Sequence, residues 1–229
     1  MGSSNRLNAG AEFRSYLPEG QESAVCRYRY ADCAGMGIRQ FTEQDIVPAG
    51  QMAYDVWSYE LDGVGDAFNR FIHEYLVRYY DVNRHYSWCV DEGGLDAFLL
   101  AGCKTDVGSC DTWFSHGLSG FSREERKIAL QYRDYLARNS HAVRRFMTGN
   151  DVQMGLFMSR VSGTGRRLLD NLEQLCRKDG ISNLYLWADA TCHVSYYEKN
   201  GFEMMARFEN GMLSDKPALD TCVFRKRLN

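Results

Sequence analysis

No apolar run in the 229 residues approaches the ~20 residues of a membrane-spanning helix, so no membrane partner is expected. The first residues lack a charged segment followed by an apolar one, so no signal peptide is expected either. Neither sign of charge is in marked excess. A net charge of −3 argues against a general nucleic-acid or membrane-surface binder. The eight cysteines, at 26, 33, 89, 103, 110, 176, 192 and 222, contain no C-x-x-C pair, and no His/Cys cluster has zinc spacing. Reduced thiols in the cytoplasm, no disulfide framework and no metal are the expectation. Two phosphate-binding motifs are missing as well. There is no G-x-x-x-x-G-K-[ST] run, and a G-x-G-x-x-G fingerprint fails because Leu168 stands three residues after Gly165. Internal repeats and low-complexity runs are absent.

What is present is an ordinary globular composition, 45% hydrophobic and 25% charged, enough to bury one core. Met1 to Gly35 has no sustained period, and is expected to be an extension that is poorly ordered or pinned by a few aromatics. From Met36 the pattern is regular. Gly37 to Phe41 reads as a short strand. Thr42-x-x-Asp45 then caps a helix to about Tyr59, and Asp66 to Tyr80 forms a second helix with Phe68, Phe71, Ile72, Tyr75, Leu76 and Tyr79 on one side. Tyr86 to Val90 and Leu95 to Cys103 read as two strands joined by the turn Asp91-Glu92-Gly93-Gly94. Lys104 to Phe121 reads as loop. Ser122-x-x-Glu125 caps a helix to about Arg138. Strands are expected again over Phe202 to Phe208 and Thr221 to Leu228.

The most informative stretch is Asp151 to Phe202. A strand over Gln153 to Met158 runs into a turn holding Arg160, Gly163 and Gly165, and the turn opens a helix. Leu168, Leu169, Leu172, Leu175 and Cys176 lie on one face of that helix, and Gly180 ends it. A second strand, Leu184 to Ala188, follows. The turn suits an anion. A helix N-terminus presents unpaired N–H groups and partial positive charge, glycines admit close approach, and Arg160, Arg166 and Arg167 add charge. Arg166 and Arg167 are adjacent and so point in different directions.

The run Arg160-Val161-Ser162-Gly163-Thr164-Gly165 resembles the acyl-CoA pyrophosphate loop, Q/R-x-x-G-x-G/A, of the GNAT superfamily of N-acetyltransferases. Downstream, Tyr196-Tyr197-Glu198-Lys199-Asn200-Gly201-Phe202 resembles that superfamily's second signature, F-Y-E-K-x-G-F. The resemblance implies an α/β fold with a central mixed, mostly antiparallel sheet flanked by helices, its fourth and fifth strands splayed apart. It implies acetyl-CoA as co-substrate, with pantetheine along Leu156, Phe157 and Met158. Pyrophosphate would lie over Arg160, Val161, Ser162, Gly163, Thr164, Gly165 and Arg166, and Tyr197 would be the acid for the departing thiolate.

The base is less defined. Gln153 cannot act as one. Asp151 and Asp189 are the carboxylates at hand. Asp189 ranks first, although it reads equally well as a cap for the segment after Thr191. Acetylation of a primary amine of a small molecule or peptide, by direct attack without a cysteine intermediate, is the expected reaction. The rivals are a non-catalytic CoA-binding module, an O-acyltransferase and another kind of nucleotide-binding domain. Two departures stand out. Forty-odd residues, Lys104 to Asn150, intervene where relatives have a short connection, and the pyrophosphate loop follows its strand unusually closely. The acceptor pocket is expected from the first two helices, this insertion and the Glu209 to Asp220 loop, with Glu60, Asp62, Asp66, Asp106 and Asp111 as acidic candidates. A homodimer formed through the last strand is a further expectation.

Overall fold

The computed structural model describes residues 37–61 and 63–228. The proposed 1–35 extension and Asp62 lie outside them. Seven strands form one sheet: β1 (Ile38–Gln40), β2 (Trp88–Asp91), β3 (Leu95–Cys103), β4 (Asp151–Ser159), β5 (Asn183–Asp189), β6 (Glu203–Asn210) and β7 (Leu219–Arg227). Their order is β1-β2-β3-β4-β5-β7-β6. Every neighbouring pair is antiparallel except β4 and β5. Six α-helices accompany them among the described residues: α1 (Ile46–Trp57), α2 (Asp66–Tyr80), α3 (Asp111–Leu118), α4 (Arg123–Arg144), α5 (Thr164–Lys178) and α6 (Val194–Lys199). This is the mixed, mostly antiparallel α/β architecture that the two motifs imply.

The helices divide between the faces of the sheet. On one face, α1 to α4 bury Phe68, Ile72, Phe114, Tyr135 and Leu136 against Phe98, Leu100, Leu156 and Met158. On the other, the apolar stripe of α5 (Leu168, Leu169, Leu172, Leu175 and Cys176) packs on Val152, Met154, Leu184 and Leu186. Each fully buried leucine contributes about 1.5–3 kcal/mol relative to exposure. The helix ends follow the local rules. Ser122 and Glu125 exchange the two bonds of a capping box at the start of α4. Gly180, at φ +74°, stops α5, with its N–H on Arg177 O and that of Ile181 on Cys176 O.

Three expectations need correction. Residues 104–121 are not all loop, because Cys110, Phe114 and Leu118 place an apolar face of α3 against α2. That face is too short to show a convincing helical period in sequence. The helix capped by Ser122 continues past Arg138 to Arg144, burying Asn139, Ser140 and Val143. Finally, β7 lies between β5 and β6, so both of its edges are already paired and it offers no strand edge to a second copy.

One irregularity governs the rest. The β3–β4 register jumps between Leu100 and Ala101, which face Leu156 and Met154, so Gly155 is an extra residue on β4. The bulge reverses the alternation of side chains. Val152 and Met154 point to the α5 face, whereas Leu156 and Met158 point to the α1–α4 face. Only glycine fits there, since a Cβ would lie 2.1 Å from the ring of Tyr80.

Candidate active site at the split between two parallel strands

The parallel ladder between β4 and β5 runs from Asp151–Asn183 to Gln153–Tyr185 and ends there. Its start is pinned by Asp151, whose buried carboxylate accepts from Thr148 N (2.6 Å), Thr148 Oγ1 (2.8 Å) and Asn183 Nδ2 (2.7 Å). Asp151 is thus structural and does not line the cavity at the split described below. Beyond Gln153, β5 continues alongside β7 to Asp189, while β4 bends away at the Gly155 bulge. The N–H and C=O groups of Leu156 to Met158 on the side toward β5 therefore have no β5 partner. An unpaired strand edge inside a molecule is a binding surface for an extended, amide-bearing ligand.

The Arg160–Gly165 turn lies at the end of this edge. Gly163 has φ +84°, which favours glycine, and a Cβ on it would meet nothing within 4 Å. Gly165 lies against Phe157 and Ser159. Thr164 is buried, with its hydroxyl turned inward to Ser159 Oγ (2.7 Å) and Val161 O (2.7 Å). Its side chain thus braces the turn, while Val161 and Ser162 face outward. The three arginines have separate partners, and the adjacent Arg166 and Arg167 diverge as expected. Arg160 pairs with Asp55 (2.8 Å), Arg166 with Asp170 (2.9 Å) and Asn200 Oδ1 (2.5 Å), and Arg167 with Glu92 (3.0 Å). Arg166 stands beside Tyr196, whose buried hydroxyl has no hydrogen-bond partner among the described residues.

At the split itself lies a cavity of about 80 Å³. It brings together Leu156, Phe157, Asp189 and Tyr197 with Glu60, Trp57, Tyr132, Tyr135 and Trp187. Met158 is buried in the core instead. The Y-E-K-N-G-F run explains itself physically. Gly201, at φ +80°, ends α6, its N–H bonds Glu198 O, and Phe202 N–H bonds Tyr197 O. Phe202, itself buried, packs edge-on against the Tyr197 ring. Burial, aided by Cys192, Tyr196 and Asp189, pushes the Tyr197 hydroxyl well above its usual value, so it keeps its proton.

Asp189 has both oxygens engaged. One accepts from Thr191 N (2.9 Å) and Thr191 Oγ1 (2.6 Å), the other from the Tyr135 hydroxyl. It therefore caps the turn after β5 and also presents charge to the cavity. Glu60 responds to it. Burial first, and then the charge of Asp189, push its carboxyl up to about 8, against a hydrogen bond from Thr191 and the charge of Lys216. Burial likewise pushes the Cys192 thiol well above its ordinary range, and His193 bonds Ser195 Oγ (3.1 Å). Of the other acidic candidates, Asp66 pairs with Arg70 (2.8 Å), Asp106 accepts from Cys103 N (2.7 Å), and Asp111 lines a different cavity.

Sequence reasoning named Glu60 without placing it, because it sits in the irregular segment after α1, where no period fixes direction. Tyr132 and Tyr135 carried a signal, three residues apart on α4, but one indistinguishable from an ordinary core face.

No sequence-family model matches this chain, and no curated protein matches it by sequence. The central sheet, its single parallel pair parting after three residues and the glycine turn at the split are the arrangement the motifs imply. The architecture is GNAT-like. Solved structures of similar shape include the ribosomal-protein-S18-alanine N-acetyltransferase of Escherichia coli, 14% identical over 84% of this chain and 93% of that one, with a TM-score of 0.45. The ribosomal-protein-alanine N-acetyltransferase of Brucella melitensis is 17% identical over 83% and 98%, with a TM-score of 0.47. The protein yncA of Salmonella typhimurium, solved with acetyl-CoA as its cofactor, is 14% identical over 84% and 93%, with a TM-score of 0.46.

The raised Glu60 carboxyl has a consequence for stability. Folded, it holds its proton up to about 8, and unfolded it releases it near 4.5, so in that window the folded state binds more protons. Stability should therefore fall as pH rises through the window. Glu60→Gln, neutral throughout, should flatten that fall in a pH series of denaturant unfolding. An identical pH dependence in the two proteins would show that Glu60 titrates normally.

Proposed function

We propose that the chain transfers an acetyl group from acetyl-CoA to a primary amine, by direct attack within a ternary complex. The observation that carries this reading is the position of the cavity. It opens where the unpaired edge of β4 leaves β5, and it holds a protonated tyrosine and two carboxyl groups, those of Asp189 and Glu60. Pantetheine would pair with the free edge of Leu156 to Met158. The pyrophosphate would rest on the first turn of α5, over Val161 to Arg166.

In the reaction, the amine nitrogen bonds to the thioester carbon and the C–S bond breaks. The departing thiolate takes the proton of Tyr197. The amine arrives as ammonium, with an ordinary pKa of ~10.4, and its proton must leave. Glu60, once ionised, takes that proton in this proposal, because Asp189 already accepts three hydrogen bonds whereas Glu60 titrates near the working pH; the second proton that the nitrogen sheds as the amide forms restores the Tyr197 hydroxyl. Asp189 keeps the pocket negative and holds Thr191 beside Glu60. The acidic lining favours a cationic amine over a hydroxyl acceptor. Cys192 plays no nucleophilic part, since burial holds it as a thiol and His193 is turned to Ser195. The acceptor is a primary amine on a small molecule or at the end of a peptide, because only a slender group enters about 80 Å³.

Two variants separate binding from chemistry. Acetyl-CoA at ~100 times its Kd should stabilise the folded protein by about 2.7 kcal/mol, with ATP and NAD giving less. Gly163→Asp should abolish that thermal shift, as it places a carboxylate in open space over the turn. A folded Gly163→Asp protein with unchanged affinity would exclude the turn as the cofactor site. Tyr197→Phe should keep the thermal shift but lose about 10²-fold or more in turnover, scored as free-thiol release with an amine panel. An unaltered rate would remove Tyr197 from the reaction.

A further inference from the structure

The two sides of α4 are unlike. Its inner stripe, from Ala129 through Tyr132 and Leu136 to Val143, is buried. The outer stripe runs from Arg123 and Lys127 through Arg138 to Arg145, all exposed, with Arg126 exposed beside it. Residues 123–145 hold seven Lys and Arg against three Asp and Glu, in a chain whose net charge is −3, so the rest of the molecule is more acidic than the whole.

These cations differ from the others in the fold. Every described arginine outside residues 123–145 forms an ion pair with an Asp or Glu. Within that segment only Arg133 does, with its neighbour Asp134 at 3.4 Å. Arg123, Arg126, Lys127 and Arg145 have no carboxylate partner among the described residues. Arg123 and Arg126 also lie in the first turn of the helix and Lys127 just after it, where the macrodipole disfavours positive charge, and Arg123 and Lys127 are a like-charge pair four residues apart. These placements weaken the helix and gain nothing inside the molecule, so they call for an anionic partner outside it.

The same helix serves the cavity at the split. Tyr132 and Tyr135 of its inner side line that cavity, as does Met212 of the connection between β6 and β7. The connection is tied to α4 by Gln131 to Ser214 Oγ (2.9 Å) and by Arg138 to Asn210 Oδ1 (2.9 Å). A chain lying on the outer stripe is therefore about one helix diameter, ~10–12 Å, from the cavity. The 22 residues of α4 span about 33 Å, the reach of about ten residues of extended polypeptide. Exposed Leu130 and Ala137 lie between the cations and offer apolar contacts to peptide side chains. A longer polyanion such as a nucleic acid would run off the stripe onto the acidic remainder.

We infer that the outer face of α4 docks an acidic segment of a polypeptide, and that this polypeptide is the acceptor whose amine enters the cavity. The second clause rests on the acetyl-transfer reading. The first does not, so its test needs no acetyl-CoA.

The test is fluorescence anisotropy of the full chain with peptides of equal length labelled at the C-terminus, one rich in Asp and Glu, one neutral and one rich in Arg, each with a free terminal amine. The acidic peptide should bind tightest and weaken as salt rises. Its affinity should fall about tenfold or more in the triple variant Arg126→Glu, Lys127→Glu, Arg145→Glu. Cooperative unfolding shows that the variant is folded; should it not be, the corresponding triple Gln variant replaces it and should weaken binding less steeply. The docking is overturned if the acidic peptide binds no better than the neutral one, or if its affinity persists in the variant. Single-stranded RNA that binds more tightly than the peptide and is lost in the same variant would give the face to nucleic acid, and self-association released by the variant would give it to a second copy; either result overturns the inference. With acetyl-CoA added, mass spectrometry should find the acidic peptide acetylated faster than the neutral one at equal concentration. Equal or slower acetylation overturns the acceptor clause. If no amine is acetylated at all, the transfer reading falls and the acceptor clause with it, while the anisotropy still decides the docking.

Discussion

The structure depends on where one parallel ladder stops. β4 and β5 pair for three residues, tied at their start by the fully satisfied carboxylate of Asp151, and then separate at the Gly155 bulge. The bulge exists because the Tyr80 ring occupies the space a side chain would need. It turns Leu156 and Met158 into the core under α1–α4 and leaves the β5-side edge of β4 beyond Gln153 without a strand neighbour among the described residues. Everything assigned to the site follows. The glycine turn is carried to the end of that edge, α6 is delivered from the end of β5, and the cavity opens between them.

The residues between β3 and β4 change what a mostly antiparallel sheet of this kind would otherwise present. Instead of a short connection, α3 and α4 cover the face that α1 and α2 leave open. Tyr132 and Tyr135 become a wall of the cavity, and Ser140 and Arg144 a wall of the separate one that Asp111 lines. The connection between β6 and β7 is tied down over them. Lys216 donates to Glu60 O, Gln131 bonds Ser214 Oγ (2.9 Å), and Arg138 bonds Asn210 (2.9 Å). Carboxylate chemistry in the cavity is therefore enclosed by aromatic side chains, and that enclosure raises the Glu60 carboxyl.

Much of this was legible in the sequence where a local rule acts alone. The α5 stripe, the Gly180 stop, the Ser122 capping box and the glycine turn each announce themselves within a few residues, because hydrogen-bond geometry at a helix end allows few residue types. The placement of Asp189 and Tyr197 near one another followed from motif order, and both line the same cavity. Other features were hidden for physical reasons. The Gly155 bulge depends on Tyr80, 75 positions earlier in the chain. α3 is eight residues long, too short for its period to outweigh its glycine and serine. Glu60 acquires its character from Asp189 and from burial, neither of which is a property of its neighbours in sequence. The interior position of β7 reflects a strand order that no segment encodes by itself.

The central claim is that the open edge of β4 receives the extended arm of acetyl-CoA. Hydrogen–deuterium exchange read at single amides, with and without acetyl-CoA, tests it most directly. The account predicts slowed exchange at amides within Leu156 to Met158 and within Val161 to Arg166, with Val152 and Gln153, already in the ladder, unchanged. Stabilisation by acetyl-CoA that leaves the β4 edge and the turn unprotected, and protects another part of the molecule instead, would contradict it.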